Sequence, residues 1–230
     1  MNADIAVITH NLDYLLWGDL AHGTPGGVVL TLLMALGAGA LALPAGIALA
    51  AVAWRYPGAV RRVLFIMAEL IRGIPIIFVI FWLWYLLPAL SGIDLPGALT
   101  VTLALAWFTS ASVMHSVLAG LTALPAGQQE AARSQGFSSF QSLWLVLLPQ
   151  TLRNVMPSLA GIFIGLLKDT SLAFMVNVPE LTTLAGQVNN REQLYPVAIF
   201  VFTGAVYYLL CSGLGIIARR WQRHARLAGV

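Results

Sequence analysis

The chain has 230 residues, 59% of them hydrophobic and 9% charged, with a net charge of +3. A soluble domain carries roughly a quarter charged residues, so this composition does not solvate the surface of a globule. It argues against a water-soluble enzyme or a nucleic-acid partner and points to lipid as the solvent, where helices must satisfy their own backbone groups. The apolar residues fall in long runs, not short alternating ones, which disfavours a β-barrel.

The lead-in, residues 1–22, has no Lys or Arg and carries Asp4, Asp13 and Asp19. A secretory signal peptide needs a basic n-region, so none is read here. The segment is expected on the outside; its pattern is too short to decide whether it forms a peripheral helix. Five apolar stretches come after it, at about 28–53, 63–89, 97–121, 155–176 and 196–218. Each is long enough to span, since a transmembrane helix needs about 20 mostly apolar residues. The expected fold is all-α and polytopic, with a transmembrane domain over 23–222 and a cytoplasmic tail over 223–230.

Arginines set the orientation. Arg55, Arg61 and Arg62 lie between the first two spans, Arg133 and Arg153 between the third and fourth, and Arg219, Arg220, Arg223 and Arg226 after the fifth. The opposite-side segments carry only Arg191. Cytoplasmic flanks collect Lys and Arg, which puts the amino terminus outside and the carboxyl terminus inside. Trp82, Trp84 and Tyr85 fit one interfacial aromatic belt, and Trp54, Tyr56 and Trp221 the other, as lipid anchors.

The second span carries Glu69 and Arg72, which share a helix face, and then Pro75, which removes a backbone donor and kinks the span. An ionisable group at a helix centre costs about 2.5–3.5 kcal/mol, so Glu69, Arg72, His115, Lys168 and Asp169 must face protein or water. Two readings of Glu69 and Arg72 stay open: a charged segment lining a path or its gate, or a buried pair that fixes packing. Lys168, Asp169, Thr170 and Ser171 form a polar patch with the same ambiguity. It either contacts a zwitterionic solute or satisfies itself at a helix seam. Cys211 sits in an apolar run and reads as a small packing residue; no disulfide or metal site is expected.

The loop at 124–157 is the most informative segment. Gln128–Gln135 (QQEAARSQ) is a run of helix formers, and Gly136 ends it. Ser138 or Ser139 can cap a second helix with Leu143, Val146 and Leu147 at helical spacing, and Pro149 and Pro157 punctuate the residues beyond. The pattern predicts a helix–turn–helix at the cytoplasmic surface, suited to docking in a groove on another protein.

The run EAARSQG followed by LLP resembles the EAA loop of binding-protein-dependent ABC import permeases. PAGQQEAARSQGFSSFQSLWLVLLPQTLRNVMPSL is similar to the polar amino-acid branch of that superfamily, the histidine and glutamate/aspartate type. TPGGVVLTLLMAL at 24–36, ELIRGIP at 69–75 and LLKDTSL at 166–172 resemble that branch's other motifs, in order. The resemblance implies a non-enzymatic permease subunit of the inner membrane. It implies a pore made with a second permease copy or a homologous permease, over a dimer of ABC ATPase subunits. It assigns coupling to Glu130, Ala131, Ala132 and Gly136. No cofactor is expected in this chain: it has no GxxxxGK[ST] loop, so ATP and Mg belong to the partner ATPase. An external solute-binding protein is implied as well, and Pro179–Tyr195 is the segment expected to meet it, or else a plain connector.

One stretch departs from the family. Where such permeases commonly read AYxxExxRGG, this chain has Ser112, His115 and Leu118. Both expected charges are gone. A lone His on an apolar helix is more often a packing residue than a ligand, although its near-neutral pKa leaves a pH-sensitive contact open. The departure fits a heteromeric pair in which the partner permease contacts the solute. Other solutes, such as an opine or an organic cation, stay open. A self-sufficient secondary transporter would show internal repeats, and none is visible.

Overall fold

The structure, a computed structural model, describes residues 2–20 and 23–227, without the side chains of residues 2, 3 and 223–227. His22 and the side chains of the expected tail, 223–230, therefore lie outside the described residues. From the amino end, helices α1 (Asn2–His10) and α2 (Leu12–Trp17) lead into an antiparallel pair of two-residue strands, β1 (Gly18–Asp19) and β2 (Thr24–Pro25). Long helix α3 (Gly27–Arg55) comes next, then α4 (Ala59–Gly73) and α5 (Ile76–Ser91). After these come α6 (Gly97–Ala123), the short α7 (Ala126–Ser134) and the 38-residue α8 (Ser139–Val176). The chain closes with α9 (Leu181–Glu192) and α10 (Pro196–Leu227). This is an all-α polytopic membrane fold. Among the described residues four helices, α3, α6, α8 and α10, are long and apolar enough to cross a bilayer, and α4 with α5 make a fifth span if counted together.

Two of the five expected spans need correction. The second, read as one kinked helix over 63–89, is two helices bent by 95°. Proline cannot donate a backbone hydrogen bond, and it pushes the residue before it to extended angles. Ile74 accordingly sits at φ −94°, ψ 131° and Pro75 at φ −56°, ψ 130°, so two consecutive extended residues turn the chain. The fourth span begins far earlier than 155. Pro149 and Pro157 do not separate a surface helix from it, because α8 runs through both.

Pro88 and Pro149 are accommodated within a helix in the same way, whereas Pro44 of α3 and Pro157 of α8 sit in regular helix. A wide, π-type turn covers Trp82–Leu86, two residues before Pro88, and another covers Ser142–Leu147, two residues before Pro149. Widening the preceding turn moves the carbonyl that the ring would strike and re-pairs the ladder at longer spacing.

The chain forms two compact units. The first comprises Met1–Gly39, Pro75–Ala106 and Phe163–Leu214. Its core gathers Val7, Leu15, Leu181, Leu184, Val188 and Ile199, so that α1 and α2 are packed against α9 and α10. The second comprises Ala40–Ile74, Trp107–Ile162 and Gly215–Val230. There, small residues let helices approach closely, as lipid-embedded helix pairs require. A Cβ on Gly46 of α3 would lie 2.5 Å from Cβ of Val113 on α6, and one on Gly120 of α6 would collide with Val155 and Thr151 of α8.

Gly120→Val is therefore expected to lower stability by about 1–3 kcal/mol through overpacking, whereas Gly213→Val on α10, which meets open space, should be near neutral. Thermal midpoints in detergent check this. Equal midpoints for the two variants would show that the α6–α8 contact is not closely packed.

Candidate functional site

Helix α7 starts after Pro125, whose missing N–H costs nothing at a helix start. It is stopped by a Schellman arrangement: Phe137 N–H donates to the Ala132 carbonyl (3.1 Å) and Gly136 N–H to that of Arg133 (3.0 Å). Gly136 sits at φ +87°, in the region that favours glycine. Two residues on, Ser138 opens α8 with a capping box. Its Oγ accepts from Gln141 N–H (3.2 Å), and Gln141 Oε1 accepts from Ser138 N–H (2.9 Å). Gln150 Nε2 donates to Gln128 Oε1 (3.2 Å) and to the Val146 carbonyl (3.0 Å), pinning α7 back onto α8.

The result is a hairpin with fixed ends. Of the four expected coupling residues, Ala132 is the buried one, while Glu130, Ala131 and Gly136 are not buried. The surface offered outward thus carries Glu130 and Arg133 with exposed Gln128 and Gln135, beside the small Ala131, Ser134 and Gly136. The expected second helix of this element exists, but as the first turns of α8.

The structure brings three expected charged residues together. Arg72 Nη1 donates to Glu69 Oε1 at 2.7 Å, and His115 Nε2 on α6 lies 3.2 Å from the same oxygen. That second approach is not aligned as a hydrogen bond, and Nε2 has no other partner among the described residues. Phe65 packs edge-on against the imidazole at 4.6 Å between ring centres. The Glu69–Arg72 pair is not buried, since about half of each side chain is exposed. The polar patch belongs to the other unit. Lys168 is exposed, Asp169 and Ser171 are half-buried, and Thr170 is fully buried, its hydroxyl donating to the Leu167 carbonyl at 2.7 Å.

Sequence reasoning missed Glu180. It is fully buried at the N-cap of α9, where its carboxylate accepts from Thr182 N–H and Thr183 N–H (both 2.8 Å), Thr183 Oγ1 (3.2 Å) and Tyr207 OH of α10 (2.9 Å). Beside it, Leu181 N–H donates to Thr31 Oγ1 of α3 (3.2 Å), and Gly27 N–H donates to the Pro179 carbonyl (2.9 Å). One acid therefore ties α9 to α10, with the chain around it tied to α3. An acidic residue directly before the helical LTTLAGQV was the available signal, because negative charge is favoured at a helix N-terminus. Tyr14 of α2 adds a hydrogen bond to Gln187 Oε1 (2.6 Å) and lies under the guanidinium of Arg191 (4.7 Å).

Burial pushes the Glu180 carboxyl above the usual glutamate range; hydrogen bonds from Thr182, Thr183 and Tyr207 oppose the shift. A folded-state pKa above the unfolded one contributes stability at low pH that is lost as pH rises through the raised value. Wild-type thermal stability is expected to carry this decline above the ordinary glutamate pKa. Glu180→Gln should flatten it, measured as thermal midpoint against pH in detergent. Parallel wild-type and variant profiles would contradict the linkage.

The family described as binding-protein-dependent transport system inner membrane component matches residues 42–226 of this chain. The probable glutamine ABC transporter permease protein GlnP of Bacillus subtilis (strain 168) is 36% identical over 159 residues, covering 68% of this chain and 72% of that relative. The inner membrane amino-acid ABC transporter permease protein YhdY of Escherichia coli (strain K12) is 34% identical over 193 residues; these make up 82% of this chain but 53% of YhdY, so the chain spans about half that relative's length. A solved structure, of an amino acid ABC transporter with histidines, aligns at TM-score 0.76 with 24% identity over 85% of this chain and 91% of that one, a likeness of fold.

Proposed function

The chain belongs to the binding-protein-dependent transport system inner membrane component family, and from that premise we propose that it lines the path of an ATP-driven importer for a polar amino acid. Its role as a non-catalytic, multi-pass permease subunit of the inner membrane comes with the family. The amino-acid class is supported by the names of its relatives, which include glutamine and general amino-acid permeases.

The observation that carries the coupling half of this reading is the α7 hairpin. Force from ATP hydrolysis needs a stiff element between ATPase and membrane helix. The Schellman turn, the capping box and the Gln150–Gln128 hydrogen bond supply that stiffness, and α8 continues from the hairpin into the membrane without a break. In this reading α7 seats in a cleft of an ATPase subunit, one per permease, with Glu130 and Ala131 against its wall. ATP and Mg are held by the ATPase dimer. A second copy or a homologous permease completes the pore.

The arginines give the orientation. Arg133 and Arg153 flank the hairpin and Arg219 and Arg220 end the last span, so hairpin and carboxyl terminus face the cytoplasm, with α9 outside toward a solute-binding protein. The Glu69–Arg72–His115 group and the Lys168–Ser171 patch are the candidates for path or gate. The first exposes a carboxylate and a guanidinium on one face, a pairing suited to a solute that carries both charges.

Two measurements test this. Gly136→Val places a β-branched residue at positive φ, a strain of about 1–2 kcal/mol. ATP-dependent uptake is expected to fall roughly tenfold, by that strain's order, with the spans still inserted. Unchanged uptake would remove Gly136 from coupling. A cysteine at exposed Ser134 should react with a membrane-impermeant maleimide only after the cells are opened. Labelling of intact cells from outside would invert the topology.

A further inference from the structure

At one end of α3 a basic pocket of about 420 Å³ opens beside the coupling hairpin. Arg55 and Arg61, from the α3–α4 turn, and Arg133, from α7, line it with Thr122, Gln129 and Ser139. No acidic side chain lines it, and none of the three guanidiniums has an ion-pair partner among the described residues. Arg55 stacks over Tyr56 at 5.2 Å. Three like charges converging on one cavity repel, and a phosphate, which guanidinium forks bind bidentately, relieves that repulsion.

A second cavity, of about 320 Å³, shares Arg55 and Ser139 with the first. Its remaining walls are mainly apolar: Ala48, Ala51 and Val52 of α3 face Phe140, Leu143 and Trp144 of α8. A free anion would fill the first cavity and leave the second empty. A purely apolar ligand would do the reverse. One molecule with an anionic head and a hydrocarbon tail fills both. Trp54, at the rim of the basic pocket, and Tyr56 and Trp144, at the groove, carry the amphipathic rings that settle at headgroup depth.

We propose that this paired cavity binds an anionic phospholipid, its phosphate on Arg55, Arg61 and Arg133 and an acyl chain along the α3–α8 groove. Basic pockets between membrane helices recognise acidic headgroups in this way. The phosphate joins the α3–α4 turn to α7, so the lipid braces the hairpin that the proposed function assigns to coupling. The binding itself requires only that this rim meets the bilayer, so it stands or falls apart from the coupling assignment.

The test uses the complete importer, purified with its ATPase and permease partners and exposed to mixed phosphatidylglycerol and phosphatidylcholine, with retained lipid read by native mass spectrometry. Wild type is expected to retain phosphatidylglycerol preferentially. Arg55→Gln with Arg61→Gln should weaken that retention by roughly fivefold per arginine, while Arg153→Gln, outside the pocket, should not. Val52→Trp, which fills the groove and keeps every arginine, should weaken it too. Equal retention of both lipids, or full retention by the double variant, overturns the proposal. So does a Val52→Trp variant that retains lipid normally, or a rise in thermal midpoint from inorganic phosphate alone equal to that from phosphatidylglycerol, since either would mark a site for a free anion. Phosphatidylglycerol bound by the permease pair but absent from the complete importer would show that the ATPase covers the pocket, and would also overturn it.

Discussion

Hydrocarbon offers a backbone no hydrogen-bond partner, and the architecture of this chain answers to that constraint. Every stretch at membrane depth must keep its ladder intact or repair it locally. Where proline removes a donor, the structure answers in more than one way: Pro44 and Pro157 sit inside α3 and α8 with no widened turn before them. Before Pro88 and Pro149 the helix widens by a turn and continues. At Pro75 it does not continue: two extended residues end α4 and a new helix begins. The polar groups singled out above then collect where the ladder is interrupted. Glu69 and Arg72 precede the Pro75 break, the α7 hairpin fills the gap between α6 and α8, and Glu180 occupies the cap of α9.

The same constraint governs charge. With 9% charged residues, each ion must find water, a partner or a counter-ion. Glu180 solves this with four donors, and it replaces water around α9's first amides while reaching across to α10. Glu69 and Arg72 neutralise each other on an open face. Arg55, Arg61 and Arg133 have no such partner among the described residues. That unfilled demand is the physical basis for the acidic lipid proposed beside the hairpin.

Three spans were readable from composition because their apolar runs are uninterrupted: residues 28–53, 97–121 and 196–218 correspond to α3, α6 and the membrane part of α10. The hairpin was readable too, since Gly136 and Ser138 are local signals whose effect depends on neighbours a few residues away. Proline misled in opposite directions. Pro75 broke a span expected to kink, while Pro149 and Pro157, read as punctuation, both sit inside α8, the first of them behind a widened turn. His115 meeting Glu69, and the burial of Glu180, depend on residues from distant segments, and no local pattern carries that information. Family motifs pointed to the 124–157 loop as the element expected to couple, and His115 stood out as a departure from them.

The central claim, a permease that works only with an ATPase, is tested most directly by reconstituting the purified assembly in liposomes with its solute-binding protein and following uptake of a labelled amino acid. Uptake is expected with ATP on the cytoplasmic side and none without it. The subunits that purify with the chain should include an ATPase in stoichiometric amount. Uptake by the chain alone, without ATP and driven by an ion gradient, would contradict the account and mark the protein as a secondary transporter.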